Sequence, residues 1–384
     1  MPIKSRTSPP VFVSLAIRSA LHEMGDSFFG PSSSIFVGKH GYPDLFVGPL
    51  ASMEYSPEQD NPAKWFGKSY YDIIKMRSSL LRSKYRHSVH APSKFVEYNQ
   101  ELALASSPTD VELGFQSRPG YRMAISSYVQ PMGPSVTIES MRLAQNPKIS
   151  RKVDGIVSDD LKAADAGFLL YKSGIDVYRL TNILSSGAIG VAKKMVPTRW
   201  SITASDDIVA KQLMKEIRLC PATEECLVYE SEYMDNHFII LLLPGPWEFE
   251  NFEAWHPGSN WSFSEAVEIA AEYEPFAGRK DYASTEAGGY YASRLGVVEA
   301  VHGMKKQCKA VVFREIGGGY AVPLGVWVVR ETVRNAFKSQ PKKLETRAQA
   351  LAYVKTRIKV PLAEYLKRSV VLRQKSIKNF LSGR

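Results

Sequence analysis

Six consecutive apolar residues, Phe238 to Leu243 (FIILLL), run into Pro244 and Gly245 and constrain the fold more than any other stretch. The run is far shorter than the roughly 18–20 residues a membrane span needs, and Pro-Gly ends it abruptly, so it reads as a buried strand. No longer apolar run occurs in the 384 residues, of which 44% are hydrophobic. That is enough to bury one large core or two moderate ones around such a strand. A second apolar stretch, Val11 to Ala20, is broken by Ser14, Arg18 and Ser19. No small-residue cleavage site follows it, and a cytoplasmic location is expected, with no membrane partner.

The polar, Pro-rich residues 1–10 are expected to form a flexible N-terminus. Within Pro31 to Leu50 (PSSSIFVGKHGYPDLFVGPL), two apolar runs flank GKHGYPD, a hairpin signature. From Trp65 to Tyr85, apolar residues recur at helical spacing among Lys75, Arg77, Arg82 and Lys84, which predicts an amphipathic helix with a basic face. Between Asn99 and Arg151, prolines punctuate strand-like pieces such as Tyr121 to Val129. Helices are predicted over Asp159 to Gly174, from Ser205 or Asp206 to about Arg218, and over Glu286 to Gln307. Cys308 to Glu331 reads as a hairpin around Gly317, Gly318 and Gly319. Glu345 to Ile358 and a short stretch after Pro361 read as helices. Mixed helices and antiparallel hairpins, without regular alternation of strand and helix, predict an α+β fold rather than a doubly wound sheet.

Charge is unevenly placed. Of 49 basic and 39 acidic residues, thirteen and two fall from Lys338 onward, giving that segment +11 while the remaining 36 and 37 nearly cancel. A flexible basic tail of this kind attracts phosphate backbone irrespective of sequence, and salt weakens the attraction. A solvated helical face is the plainer reading. The segment contains Gln374 to Leu381 (QKSIKNFL). One 3₁₀ turn would put Ile377, Phe380 and Leu381 on one side as a three-pronged plug, with Gln374 hydrogen-bonding in a neighbouring polar pocket. That is the pattern of a docking peptide for a DNA sliding clamp. The alternative folds Ile377 and Phe380 back on the core, and the basic flanks Arg373, Lys375 and Lys378 argue against it.

In VPTRWSIT, Arg199 and Trp200 sit between hydroxyl residues just after Lys193 and Lys194, a set able to grip a phosphate and stack a base. The alternative is a turn into a strand with Trp200 in the core. In GRKDYASTEAGGYYASR, Arg279, Lys280 and Arg294 surround Gly288 and Gly289, which permit close approach of a ligand or tight helix packing. Neither phosphate-binding glycine fingerprint is matched, so no nucleotide cofactor is implied. The acidic pairs Asp159 and Asp160, Asp206 and Asp207, and Glu248 and Glu250 would suit Mg- or Mn-dependent phosphodiester hydrolysis if they converged on ions about 4 Å apart. Each Asp pair stands where a helix is expected to begin, and capping is the favoured explanation there. Cys220, Cys226 and Cys308 are too few and too badly spaced for a zinc ribbon, and are expected to be reduced structural thiols.

The phrases SIFVGKHGYPDLFVGPL, VPTRWSIT, LPGPWEFE, AGGYYASRL and PLGVWVVRE, in this order and followed by QKSIKNFL, resemble the archaeal Nre DNA-repair proteins from about Ser32 onward. The resemblance implies two family regions packed together, 11–273 and 274–368, ahead of a tail at 369–384. It also implies association with the sliding clamp PCNA through Gln374, Ile377, Phe380 and Leu381, and hence a nucleoid-associated protein. Many relatives begin with a cysteine-rich zinc-binding segment whose ligands this sequence does not supply, so nothing that depends on that module is expected. Two mechanisms stay open: a clamp-delivered protein that holds DNA with Lys193, Lys194, Arg199, Trp200, Arg279, Lys280 and Arg294, or a metal-dependent nuclease or other DNA-processing hydrolase.

Overall fold

The GKHGYPD turn joins β1 (Ser27–Val37) to β2 (Asp44–Ser52) as an antiparallel pair, the hairpin predicted there. In the computed structural model, which describes residues 21, 24–120, 132–257, 259, 266–320 and 323–374, the chain divides into two units, Met1–Val209 and Ala210–Arg384. The first contains a closed barrel of five strands. β3 (Leu80–Ser88) lies antiparallel to β2, β4 (Thr109–Phe115) antiparallel to β1, and β5 (Ser135–Leu143) pairs antiparallel with β4 and parallel with β3. Alternate residues such as Leu45, Val47, Leu81, Val111, Leu113, Val136 and Ile138 fill its core. At Gly48, β2 approaches β3 so closely that a Cβ would lie 1.8 Å from the Ser83 carbonyl oxygen. Only glycine fits there.

Helix α1 (Tyr70–Ser78) precedes β3 and begins with a reciprocal capping box between Ser69 and Asp72. α2 (Lys94–Leu104), capped by Ser93, connects β3 to β4. α3 (Arg151–Ser158), α4 (Ala163–Lys172), α5 (Val177–Ser186) and α6 (Thr198–Ile217) follow the barrel. The helix expected from Trp65 to Tyr85 is therefore a helix and a strand. The cations Arg82, Lys84 and Arg86 recur every second residue, which is the strand period, and the strand is completed by β2 and β5, both distant in sequence. The helix expected from Asp159 begins at Ala163 instead, and that expected near Asp206 begins eight residues earlier, at Thr198. There the carbonyl of Pro197 accepts the N–H groups of Trp200 and Ser201, so the proline opens the helix. The pieces predicted at 1–10 and at Tyr121 to Val129 lie outside the described residues.

The second unit is built on a sheet ordered β11-β6-β7-β10-β8-β9, in which only β8 and β10 run parallel. Its strands are β6 (Cys226–Tyr233), β7 (Asn236–Leu243), β8 (Glu248–Trp255), β9 (Glu268–Glu274), β10 (Lys309–Ile316) and β11 (Lys342–Leu344). The FIILLL run is β7. Ile239, Leu241 and Leu243 meet α9 (Arg347–Arg357) and α10 (Leu362–Arg368) on one face. Phe238, Ile240 and Leu242 point to the other face, where α7 (Gly288–Gly303) and α8 (Trp327–Ala336) lie, the latter bringing Phe337 to 4.5 Å from Tyr229. A strand covered on both faces has no polar positions to offer, hence the unbroken run.

The hairpin expected from Cys308 to Glu331 is a correction. β10 already has β7 and β8 on its two edges, so no ladder remains for a return strand, and WVVRE folds as α8. Short apolar runs satisfy either period. From Lys338 the basic segment forms β11, α9 and α10, with Ala350, Val354, Tyr365, Val371 and Leu372 buried against the sheet. Its charge is partly met locally, Lys343 by Glu225, Arg357 by Glu230, and Lys367 and Arg368 by Glu364. Among the described residues, no helix is long and apolar enough to cross a membrane.

Candidate nucleic-acid interface

The end of β1 fixes the start of α6: the Val37 N–H donates to Thr198 Oγ1 at 2.9 Å. In the first turn of that helix, Trp200 stands 52% exposed, with its ring 6.1 Å from that of Tyr42, itself 44% exposed in the β1–β2 loop. Lys194 Nζ lies 5.1 Å from the centre of the Tyr42 ring, and His90 approaches the same ring edge-on at 6.5 Å. Lys193 and Arg199 are exposed beside them. VPTRWSIT is thus a loop opening a helix, with Trp200 outside the core.

The barrel extends this surface. On β2, Phe46 is 40% exposed and faces Arg86 across the ladder, with Lys84 Nζ 5.5 Å from its ring. Arg82, Lys84 and Arg86 occupy successive positions on the same outer side of β3. Arg82 donates to the Gly133 carbonyl at 3.3 Å. Burial, and then the adjacent Arg82 charge, lower the Lys84 ammonium below its ordinary value. Flat rings each accompanied by a cation can stack bases and hold the linking phosphates.

The predicted contacts of the second unit are arranged differently. Arg294 is fully buried, its Nη1 2.7 Å from Glu274 Oε2, and it lies over the rings of Tyr290 and Tyr291. It is withdrawn from the nucleic-acid set. Arg279 is turned onto Glu272 at 2.7 Å and onto Tyr290, leaving Lys280 exposed. Gly289 serves packing, since a Cβ there would lie 2.3 Å from Glu253 Oε1. Beneath α7, Glu253 pairs with Arg314 at 2.6 Å, and Asn251 joins Glu286 to Ser293. Burial and the Glu253 charge push the Glu286 carboxyl well above the usual range.

The acidic pairs do not assemble. Among the described residues, no three His, Cys, Asp or Glu side chains gather as metal donors, and the two-metal arrangement has no ligand set there. Asp159 ends α3 rather than opening a helix, accepting from the Asp160 N–H at 3.1 Å. Asp206 and Asp207 lie inside α6, so neither caps it, and Asp206 is buried. Glu250 receives the Val370 N–H at 2.5 Å and the Ser369 hydroxyl, and burial pushes its carboxyl up despite those bonds. Glu248 meets Lys309 Nζ at 2.5 Å, the Tyr273 hydroxyl at 2.7 Å and Gln374 Nε2 at 2.8 Å. Burial opposes its ionisation, but these three donors together hold its carboxyl below the usual range. Lys309 also donates to Gln374 Oε1, and Arg347 to the Gln374 carbonyl at 2.8 Å. Gln374 is therefore fixed to the sheet. Ile377, Phe380 and Leu381 lie outside the described residues.

Sequence reasoning missed Tyr42, Phe46, Lys84, Arg86 and His90. The alternation of cations along Arg82, Lys84 and Arg86 was the available signal, and it reads as a helical face only if the period is mistaken.

Family models described as the N-terminal and C-terminal parts of archaeal Nre match residues 5–262 and 274–382. Strands from both regions share the one sheet of the second unit. A DNA repair protein NreA of Archaeoglobus fulgidus is 38% identical over 353 residues, 90% of this chain and 88% of the relative. The protein of that name from Haloferax volcanii is 35% identical over 364 residues, covering 90% and 87%. A DNA repair protein NreB of Archaeoglobus fulgidus is 32% identical over 354 residues, covering 91% and 90%. No solved structure matches the chain.

Proposed function

Because the chain belongs to the archaeal Nre family, we propose that it acts in DNA repair, contacting DNA with the exposed cations and rings of its first unit and docking on the PCNA sliding clamp through QKSIKNFL. The observation that carries DNA contact is the Tyr42–Trp200 pair with Lys194 over the Tyr42 ring. Leaving about half of two large side chains in water forgoes burial worth about 25 cal/mol per Å² of apolar area. A ligand with flat faces and negative charge recovers that area and meets the cations. Clamp docking is supported by the sequence of the peptide and by the family.

Two titrations test the reading. Full-length protein is titrated onto labelled DNA at rising salt, with Trp200→Ala and Lys194→Ala alongside. Affinity should fall steeply with salt, and the Lys194 variant should flatten the salt slope by about one. The peptide from Val371 to Arg384 is titrated onto PCNA and should bind, while the same peptide carrying Phe380→Ala with Leu381→Ala should not. DNA affinity indifferent to salt and to Trp200, or equal binding by the two peptides, would sink the corresponding half.

A further inference from the structure

We propose that the form of DNA taken by this surface is a single strand, laid across the outer face of β2 and β3 from the Phe46–Lys84 pair to Tyr42 and Trp200. The proposal rests on the DNA reading above and specifies the substrate of the same site.

Three observations carry it. The first is the closed five-stranded order β1-β2-β3-β5-β4 with β3 parallel to β5 and α2 between β3 and β4. This is the connectivity of the oligonucleotide- and oligosaccharide-binding barrel, whose β2–β3 face and β1–β2 loop form the platform for single strands. Topology alone does not assign a ligand, and the side chains must agree with it.

They do. The outward positions of this strand pair hold Phe46 opposite Arg86, with Lys84 and Arg82 on the same side. The β1–β2 loop adds Tyr42, in ring contact with Trp200 and His90. A duplex keeps its base faces inside the stack and offers rings such as these only groove edges, phosphate and sugar, with no face to stack on. An unpaired strand offers both base faces and backbone. Exposed aromatic area is therefore matched to unpaired bases.

The third observation is electrostatic. Among the described residues, Lys84, Arg86, Lys194 and Arg199 have no carboxylate partner, while cations of the second unit such as Arg279, Arg294, Arg314 and Arg334 are paired with Glu272, Glu274, Glu253 and Glu299. Charge is left available on the barrel side of Phe46 and Tyr42, where a strand stacked on those rings would bring its phosphates.

The test is fluorescence anisotropy with the full-length protein, a labelled oligothymidylate of about 12 nucleotides, within the span one such barrel covers, a blunt duplex of equal length, and the matching oligouridylate. The single DNA strand should bind at least tenfold tighter than the duplex and no more weakly than the oligouridylate. Phe46→Leu combined with Tyr42→Leu keeps apolar bulk but removes the stacking faces. It should weaken single-strand binding about tenfold or more while leaving the thermal midpoint unchanged. Quenching of Trp200 fluorescence by the oligothymidylate, absent in Trp200→Phe, should accompany binding. Preference for the duplex or for RNA, or single-strand affinity unmoved by the paired leucine variant at an unchanged midpoint, overturns the single-strand proposal and leaves DNA contact standing. Absence of binding to every DNA form removes the DNA reading itself.

Discussion

Glu274→Ala should destabilise the second unit severely, and the reason can be worked from the geometry. Arg294 Nη1 lies 2.7 Å from Glu274 Oε2, neither side chain has any exposure, and the Tyr290 hydroxyl donates to the same oxygen at 2.7 Å. The substitution removes the carboxylate from a guanidinium that water cannot reach. Breaking a fully buried pair by taking away one partner costs about 3–5 kcal/mol. A unit of 150–250 residues loses roughly 2–4 °C of midpoint per kcal/mol, so the melt should fall by about 6–20 °C. Replacing both partners, Glu274→Leu with Arg294→Met, removes the charges together at similar volume and should cost far less than the single change. Circular dichroism melts of wild type, the two single variants and the double variant give the comparison. A double variant less stable than Glu274→Ala would refute the reasoning. The double variant should also bind DNA as the wild type does, since Arg294 is turned inward.

Three further outcomes follow from other contacts. Burial lowers the pKa of His237, but its bonds with Glu315 and Glu230 more than offset this and raise it above 6.5. The stability it contributes is therefore complete below about pH 6.5 and lost as pH rises through the higher folded value, and His237→Gln should flatten that slope in urea melts. Lys309→Met releases one of the bonds on Gln374, so the variant full-length chain should bind PCNA more tightly than wild type, while the free peptide from Val371 to Arg384 is unaffected; equal affinity of the two full-length proteins would count against the tether. Gly48→Ala places a Cβ 1.8 Å from the Ser83 oxygen, so the barrel should lose about 3 kcal/mol or more by strain, and an unchanged first-unit midpoint would contradict the close approach.

Local features were legible in the sequence and non-local ones were not. The hairpin of β1 and β2 is written in GKHGYPD, and α9 and α10 in the pattern around Glu345 and Pro361. FIILLL announced a buried strand because its burial is complete on both faces. β3 was hidden because Leu80 and Leu81 follow α1 directly and continue its apolar spacing, while the partners that make it a strand lie far away in β2 and β5. WVVRE carries valines that suit a strand, and only the occupied edges of β10 exclude one. The candidate site was half legible. Lys194 and Trp200 declared themselves by composition, whereas Tyr42 lies more than a hundred residues earlier and joins them only through barrel closure and the Val37–Thr198 bond. Arg294 looked available because a sequence does not show which cations are paired.

The anchoring of Gln374 sets a leash. Leu381 lies seven chain steps beyond it, and an extended chain covers at most about 3.6 Å per step, or roughly 25 Å in all. While Gln374 stays bound there, a clamp seated on Phe380 and Leu381 alone would stay within that radius of the starts of β8 and β10, which hold Gln374. If the clamp docks there as proposed, a tether this short would turn the meeting of protein and clamp-encircled duplex from a search through the cell into a standing local concentration.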